Sequence, residues 1–154
     1  MKLKIFFASL LFLVITVLVC GLGIASFAKE PSTEEALLGI WQFQNIIYQG
    51  KEMELPNPDL VLQFEFRGDG TDRLTWFRRK ESGICDRRAQ FSYDGEMLDQ
   101  KIDWVNPENT IGCGQDTDMQ IGNETSTKLK LRDGQLHLYL QLNGKDFIYV
   151  MKKL

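Results

Sequence analysis

Histidine is almost missing from this sequence: one stands in 154 residues, at position 137. That scarcity excludes a histidine-rich metal site. No Ser-His-Asp or Cys-His catalytic set can be built around His137. Cysteine is nearly as rare, with only Cys20, Cys85 and Cys113. None lies in a Cys-x-x-Cys pair or near the histidine, so neither redox catalysis nor a zinc site has a motif. An excess of basic charge is also lacking, with 18 Lys and Arg against 21 Asp and Glu, net −3. Nucleic-acid recognition needs a basic surface or stripe. The two basic clusters, Arg78-Arg79-Lys80 and Arg87-Arg88, read mainly as solvated strand ends. Paired carboxylates for hydrolysis cannot be argued from spacing alone. The expectation is a protein that is not an enzyme, carries no cofactor or metal and binds no nucleic acid.

Long apolar runs are absent beyond residue 28, which makes the one at the start conspicuous. Lys2 and Lys4 precede an apolar run from Ile5 to Val19, followed by Cys-Gly-Leu-Gly-Ile-Ala-Ser-Phe-Ala. Ser26 and Ala28 occupy the −3 and −1 positions of a small-x-small cleavage site. This is the pattern of a secretory signal peptide, predicting cleavage after Ala28 and a domain from 29 to 154. The alternative is an uncleaved membrane anchor, since apolar character continues to Phe27. Cys20 invites a lipidation reading, but Val19 precedes it where a small residue is wanted. Losing residues 1–28 removes two lysines and no acids, leaving 16 basic and 21 acidic side chains and a net charge of −5. The domain is expected to be exported, periplasmic or secreted, with membrane contact only if the leader is retained. In that compartment Cys85 and Cys113 are an even pair, and a disulfide between them is expected.

What remains is rich in period-two alternation. Thr33 or Ser32 can cap a short helical turn that Gly39 ends, with Glu34 and Glu35 at its positive end. Strands are then expected at 40–48, 60–67, 72–80, 85–93, 97–105, 125–132, 135–142 and 146–152. Residues 49–59 read as a loop because Pro56 and Pro58 cannot continue a central strand. Asp94-Gly95, Asp133-Gly134 and Asn143-Gly144 are tight-hairpin signals. Residues 106–118 form the longest irregular stretch. The clearest strand, 135–142, points Leu136, Leu138, Leu140 and Leu142 one way and His137, Tyr139 and Gln141 the other. Alternation also places Trp41, Phe43, Asn45 and Ile47 together, then Leu74, Trp76 and Arg78, then Arg87, Ala89, Phe91 and Tyr93, and then Leu98, Gln100, Ile102 and Trp104. The facing of 146–152 is ambiguous. Eight sequential strands without interleaved helices predict an all-β fold, an eight-stranded antiparallel up-and-down barrel with a short N-terminal helical turn. An open sandwich is the structural alternative.

Gly39-Ile40-Trp41 opens the first strand. A glycine bending tightly into a strand that starts with an inward tryptophan, in an eight-stranded exported domain of this size, resembles the lipocalin or broader calycin pattern, in its compact bacterial form. The resemblance covers residues 37–153 and rests on the G-x-W motif. It implies that Gly39 and Trp41 form the barrel floor and that a basic side chain near the last strand, Lys152 or Lys153, packs over the tryptophan. The family's second motif has only a faint counterpart at Thr117-Asp118. The loop at 49–59 is too short and Pro-rich for the two-helix lid of fatty-acid-binding barrels.

An eight-stranded barrel can be filled by side chains or hold one small ligand. The inward polar residues define a candidate ligand site of Asn45, Trp76, Arg78, Arg87, Tyr93 and Gln100. A buried arginine needs a partner, and a ligand carboxylate or phosphate would serve. The expected partner is therefore a small, largely apolar molecule, with an anionic group where it meets an arginine. Against this stands a filled barrel whose arginines reach the rim or pair with an internal glutamate. Such a barrel could act on proteins, as small protease inhibitors do, through an extended segment at 29–38. Gly68–Asp72 and Asp116–Asp118 place oxygen ligands close together as calcium loops do, but turn chemistry explains them equally well.

Overall fold

The computed structural model describes residues 33–154 except 143, with residue 142 described by its backbone alone. The leader, its cleavage point after Ala28, the anchor alternative and Cys20 lie outside the described residues. No described helix is long and apolar enough to cross a membrane.

Helix α1, Thr33–Leu37, precedes nine strands: β1 Gly39–Tyr48, β2 Lys51–Met53, β3 Leu60–Phe66, β4 Thr71–Arg78, β5 Cys85–Tyr93, β6 Met97–Val105, β7 Glu124–Arg132, β8 Gln135–Leu142 and β9 Lys145–Lys153. Leaving β2 aside, successive strands from β1 and β3 through β9 pair antiparallel in order, and β9 returns to β1. The result is a closed eight-stranded antiparallel barrel. Closure satisfies the two sheet edges that an open meander would expose. The expected sandwich alternative is therefore set aside. Strand β2 is an addition that the sequence reading took for loop. It pairs with the last residues of β1, Ile46 to Tyr48, and ends before Pro56 and Pro58 would interrupt it.

The core lies inside the barrel. Leu37, Leu98, Leu129 and Met151 have no exposed surface, and Trp41, Phe43, Phe66, Leu74 and Leu136 are nearly as deep. Helix α1 seals the end of the barrel at which β5 finishes. Thr33 Oγ1 donates to the Tyr93 carbonyl (3.4 Å), and Glu34 Oε1 accepts from the Tyr93 amide (3.3 Å). Trp41 Nε1 donates to the Leu37 carbonyl (2.6 Å), tying helix to floor. Lys153 Nζ sits 5.3 Å from the Trp41 ring centroid, so a basic side chain of the last strand does lie over the tryptophan. Gly39 has φ of +119°, and a Cβ there would stand 2.7 Å from Lys153 Cε. Backbone bend and lysine together account for the glycine.

Two bulges change facings that strict alternation predicts. The β1–β9 register shifts between Phe43 and Asn45. Phe43 faces Met151 across the ladder, while Asn45 faces Val150 and Ile46 faces Tyr149. Ile46 and Tyr48 therefore point inward, and Asn45 and Ile47 point outward, the reverse of the expectation. The β5–β6 register shifts between Arg88 and Ala89, which sets Trp104 beside Arg88 on the outer face, 37% exposed. A single inserted residue reverses every facing beyond it. On β9, whose facing alternation left open, Phe147, Tyr149 and Met151 are the inward set.

Candidate functional site

The inward residues fall into two layers. The deeper layer is packed and contains one polar node. Asp72 on β4, Arg87 on β5 and Gln100 on β6 lie on adjacent strands, with exposures of 0%, 2% and 9%. Arg87 Nη1 donates to Asp72 Oδ1, and Gln100 Nε2 donates to Asp72 Oδ2 (2.9 Å). The guanidinium carbon also lies 5.5 Å from the Phe64 ring centroid. Burial pushes the Asp72 carboxyl above its ordinary range, against the pull of Arg87 and Gln100. Within this node, Arg87 Nε has no hydrogen-bond partner among the described residues. The sequence allowed an internal glutamate as the arginine's partner; the partner is instead an aspartate, Asp72. It was legible: the alternation that brings Leu74 and Trp76 inward also brings Asp72.

The upper layer lies at the end opposite α1, where β1, β3, β4, β5 and β9 have their Tyr48, Leu60, Arg78, Cys85 and Lys145 ends. Segment 106–123 folds here. Its two 3₁₀ turns, Ile111–Gln115 and Thr117–Met119, bury Cys113 and Met119, and the second packs against β5 and β6. The segment is held by the Cys85–Cys113 disulfide, with Cα atoms 5.6 Å apart across 28 residues. Asn109 clamps its start, with Oδ1 accepting from the Asp86 amide (2.8 Å) and Nδ2 donating to the Asp86 carbonyl (3.0 Å). On the outer face Asp86 also accepts a two-pronged contact from Arg73 at 2.7 and 2.6 Å.

Beside this segment the mouth holds a pocket of about 440 Å³ lined by Ile46, Tyr48, Met53, Pro56, Lys145, Phe147 and Tyr149. Its aromatic wall is continuous with the core. Tyr149 lies 4.2 Å from Phe43 and 5.4 Å from Phe147, centroid to centroid. Burial pushes the Tyr149 hydroxyl pKa up, and the carboxylates of Asp116 and Asp118 add to the shift. The Asp118 carboxyl is itself raised, by burial and by Asp116, while Arg87 pulls it down.

The sequence-predicted residues do not form one cluster. Arg87 and Gln100 meet through Asp72. Trp76 lies on the same inner face, opposite Leu62 and Cys85, and packs half-buried against the core. Tyr93 lies near the closed end, its hydroxyl directed to the carbonyls of Gly95 and Leu129 (2.8 and 3.1 Å). Arg78 sits at the rim, 44% exposed and 2.9 Å from Glu81. Asn45 lies outside the barrel, donating through Nδ2 to Glu52 Oε1. The pocket at the mouth was missed because the bulge in β1 brings Ile46 and Tyr48 inward and because β2 places Met53.

His137 keeps its predicted outer face, between Lys130 and Val150, but it is 9% exposed rather than solvated. Burial and Arg132 lower its pKa, opposed by Asp133. Of the aspartates weighed as calcium ligands, Asp72 pairs with Arg87 inside the barrel, and Asp69 and Asp116 serve turns. Asp69 accepts from Thr71 N and Oγ1 (3.0 and 2.6 Å), and Asp116 accepts from Asp118 N (3.0 Å). Residues 33–37 are helical, with Leu37 buried, so this part of the 29–38 segment is not extended and free. Residues 29–32 lie outside the described residues.

No family model matches this chain, and no curated protein matches it. Among solved structures it is similar to an uncharacterized protein from Bacteroides eggerthii, with 16% identity and a TM-score of 0.46 over 76% of this chain and 98% of that one.

Proposed function

We propose that this protein is an exported, lipocalin-like barrel that binds a small, largely apolar molecule at its mouth rather than deep in its interior. The observation that carries the reading is the pocket of about 440 Å³ walled by Ile46, Tyr48, Met53, Phe147 and Tyr149. Its size falls within the range of small-molecule sites, and its lining is apolar with few polar groups. The deeper barrel offers a ligand little. Its side chains are packed, and Arg87 already has a carboxylate in Asp72. The G-x-W opening with Lys153 over Trp41 supports the lipocalin-like reading. The disulfide and the leader pattern support export.

Isothermal titration of the full-length chain with hexanol, octanol and decanol tests the reading. Each methylene withdrawn from water contributes about 0.8 kcal/mol, close to fourfold in affinity. Affinity is expected to climb at nearly that rate until the pocket is full. Met53 is 49% exposed, so Met53→Trp should fill the pocket from the rim and weaken binding without disturbing the core. Absence of binding, or binding indifferent to both chain length and Met53→Trp, would sink the proposal.

The filled lower barrel also favours a second reading, an interaction module. Ile111 is 95% exposed and Ile121 69% exposed, both on the disulfide-held segment. Ile111→Asp with Ile121→Asp would abolish capture of a protein partner on that reading and leave alcohol binding intact.

A further inference from the structure

The charge lining the mouth narrows the ligand class, on the premise that the pocket binds at all. We infer that the ligand is an amphiphilic monoanion, its apolar body against Tyr149 and Phe147 and its anionic group on Lys145. Lys145 is the one charged residue lining the pocket, and it makes no ion pair among the described residues. Asp146, Glu52 and Asp116 each accept a hydrogen bond from a group other than Lys145. Asp146 accepts from Gln141 Nε2 at 2.9 Å. Glu52 accepts from Asn45 Nδ2. Asp116 accepts the Asp118 amide at 3.0 Å, and Asp118 lies within electrostatic reach of Arg87. Asp116 and Asp118 act on the Tyr149 hydroxyl side of the pocket, whereas the Lys145 ammonium stands at the rim, at the first residue of β9. An apolar wall beside an unanswered ammonium selects a molecule with the complementary division. The anion expected from the sequence at Arg78 or Arg87 moves to Lys145, because Glu81 and Asp72 already answer those guanidinium groups.

A matched probe series tests this: decanoate, decanol and decylammonium, titrated into the full-length chain. Decanoate is expected to bind about three- to tenfold more tightly than decanol, the range for a partly exposed to charge-assisted contact. Decylammonium is expected to bind most weakly. Lys145→Gln should bring decanoate and decanol to within about twofold, and Lys145→Glu should favour decylammonium. Lys145 is exposed at a strand end, so neither variant threatens the fold. If no probe binds, the pocket itself fails as a ligand site. If decanol binds as well as decanoate, or decylammonium binds best, the pocket stands and the anionic class is wrong. A decanoate preference that survives Lys145→Gln would equally overturn the assignment of Lys145.

Discussion

Replacing Arg87 by methionine keeps much of its volume and removes its charge. Asp72 would then be left as a carboxylate with no exposed surface, held only by Gln100. Breaking a buried ion pair from one side costs about 3–5 kcal/mol, because the remaining charge loses its partner while staying out of water. Domains of this size have a total stability of about 5–15 kcal/mol, so the variant should survive, but marginally. With a urea m-value of about 2 kcal/mol/M, the midpoint should fall by about 2 M. Removing both charges, in Asp72→Leu with Arg87→Met, should recover most of the loss. Only the Gln100 amide is then left wanting a partner, at about 1–3 kcal/mol. Urea unfolding followed by tryptophan fluorescence measures Arg87→Met, Asp72→Leu and the double variant. Additive costs would refute the reasoning, since independent effects mean that Asp72 does not answer Arg87. A cost under about 1 kcal/mol for Arg87→Met would do the same, and would return Arg87 to the pool of ligand-binding candidates.

Reducing the Cys85–Cys113 bond should cost about 3–4 kcal/mol, the chain-entropy value for a 28-residue span; a matching fall in the denaturation midpoint of Cys85→Ser with Cys113→Ser checks it. Gly39→Ala combines a φ of +119° with a Cβ 2.7 Å from Lys153 Cε, and should lose at least about 1 kcal/mol in the same assay, more than an alanine at an ordinary strand position. The lowered pKa of His137 means that the unfolded chain takes up its proton first as pH falls. The stability it contributes is present above pH 6.5 and lost as pH falls through the folded value. His137→Gln should therefore show a shallower drop in urea midpoint from pH 7.5 to 5 than the parent chain, and an imidazole titrating at or above 6.5 by NMR would contradict this.

Much of the barrel was legible because its determinants are local. Alternation marks the strands, and Asp94-Gly95 and Asp133-Gly134 mark two hairpins at which the ladder does turn. The G-x-W resemblance implied a basic side chain over Trp41 and left Lys152 and Lys153 open, of which Lys153 takes the place; the disulfide followed from an even pair of cysteines. The site was less legible because its determinants are not local. A bulge depends on how two strands meet, and the one in β1 decides whether Asn45 or Ile46 faces the interior. Strand β2 is too short for its alternation to be read, and the prolines beyond it disguised its presence. Arg87 faces the interior, one of the two placements the sequence left open, and its partner stands at Asp72, the first residue of a segment read for its apolar members.

The central claim, a filled lower barrel beneath a ligand-binding mouth, is tested most directly by NMR of the full-length chain titrated with decanol. The account predicts shifts confined to Ile46, Met53, Phe147 and Tyr149, with Leu98, Leu129 and Leu136 unmoved. Shifts centred on those three leucines, or no shifts at all, would contradict it.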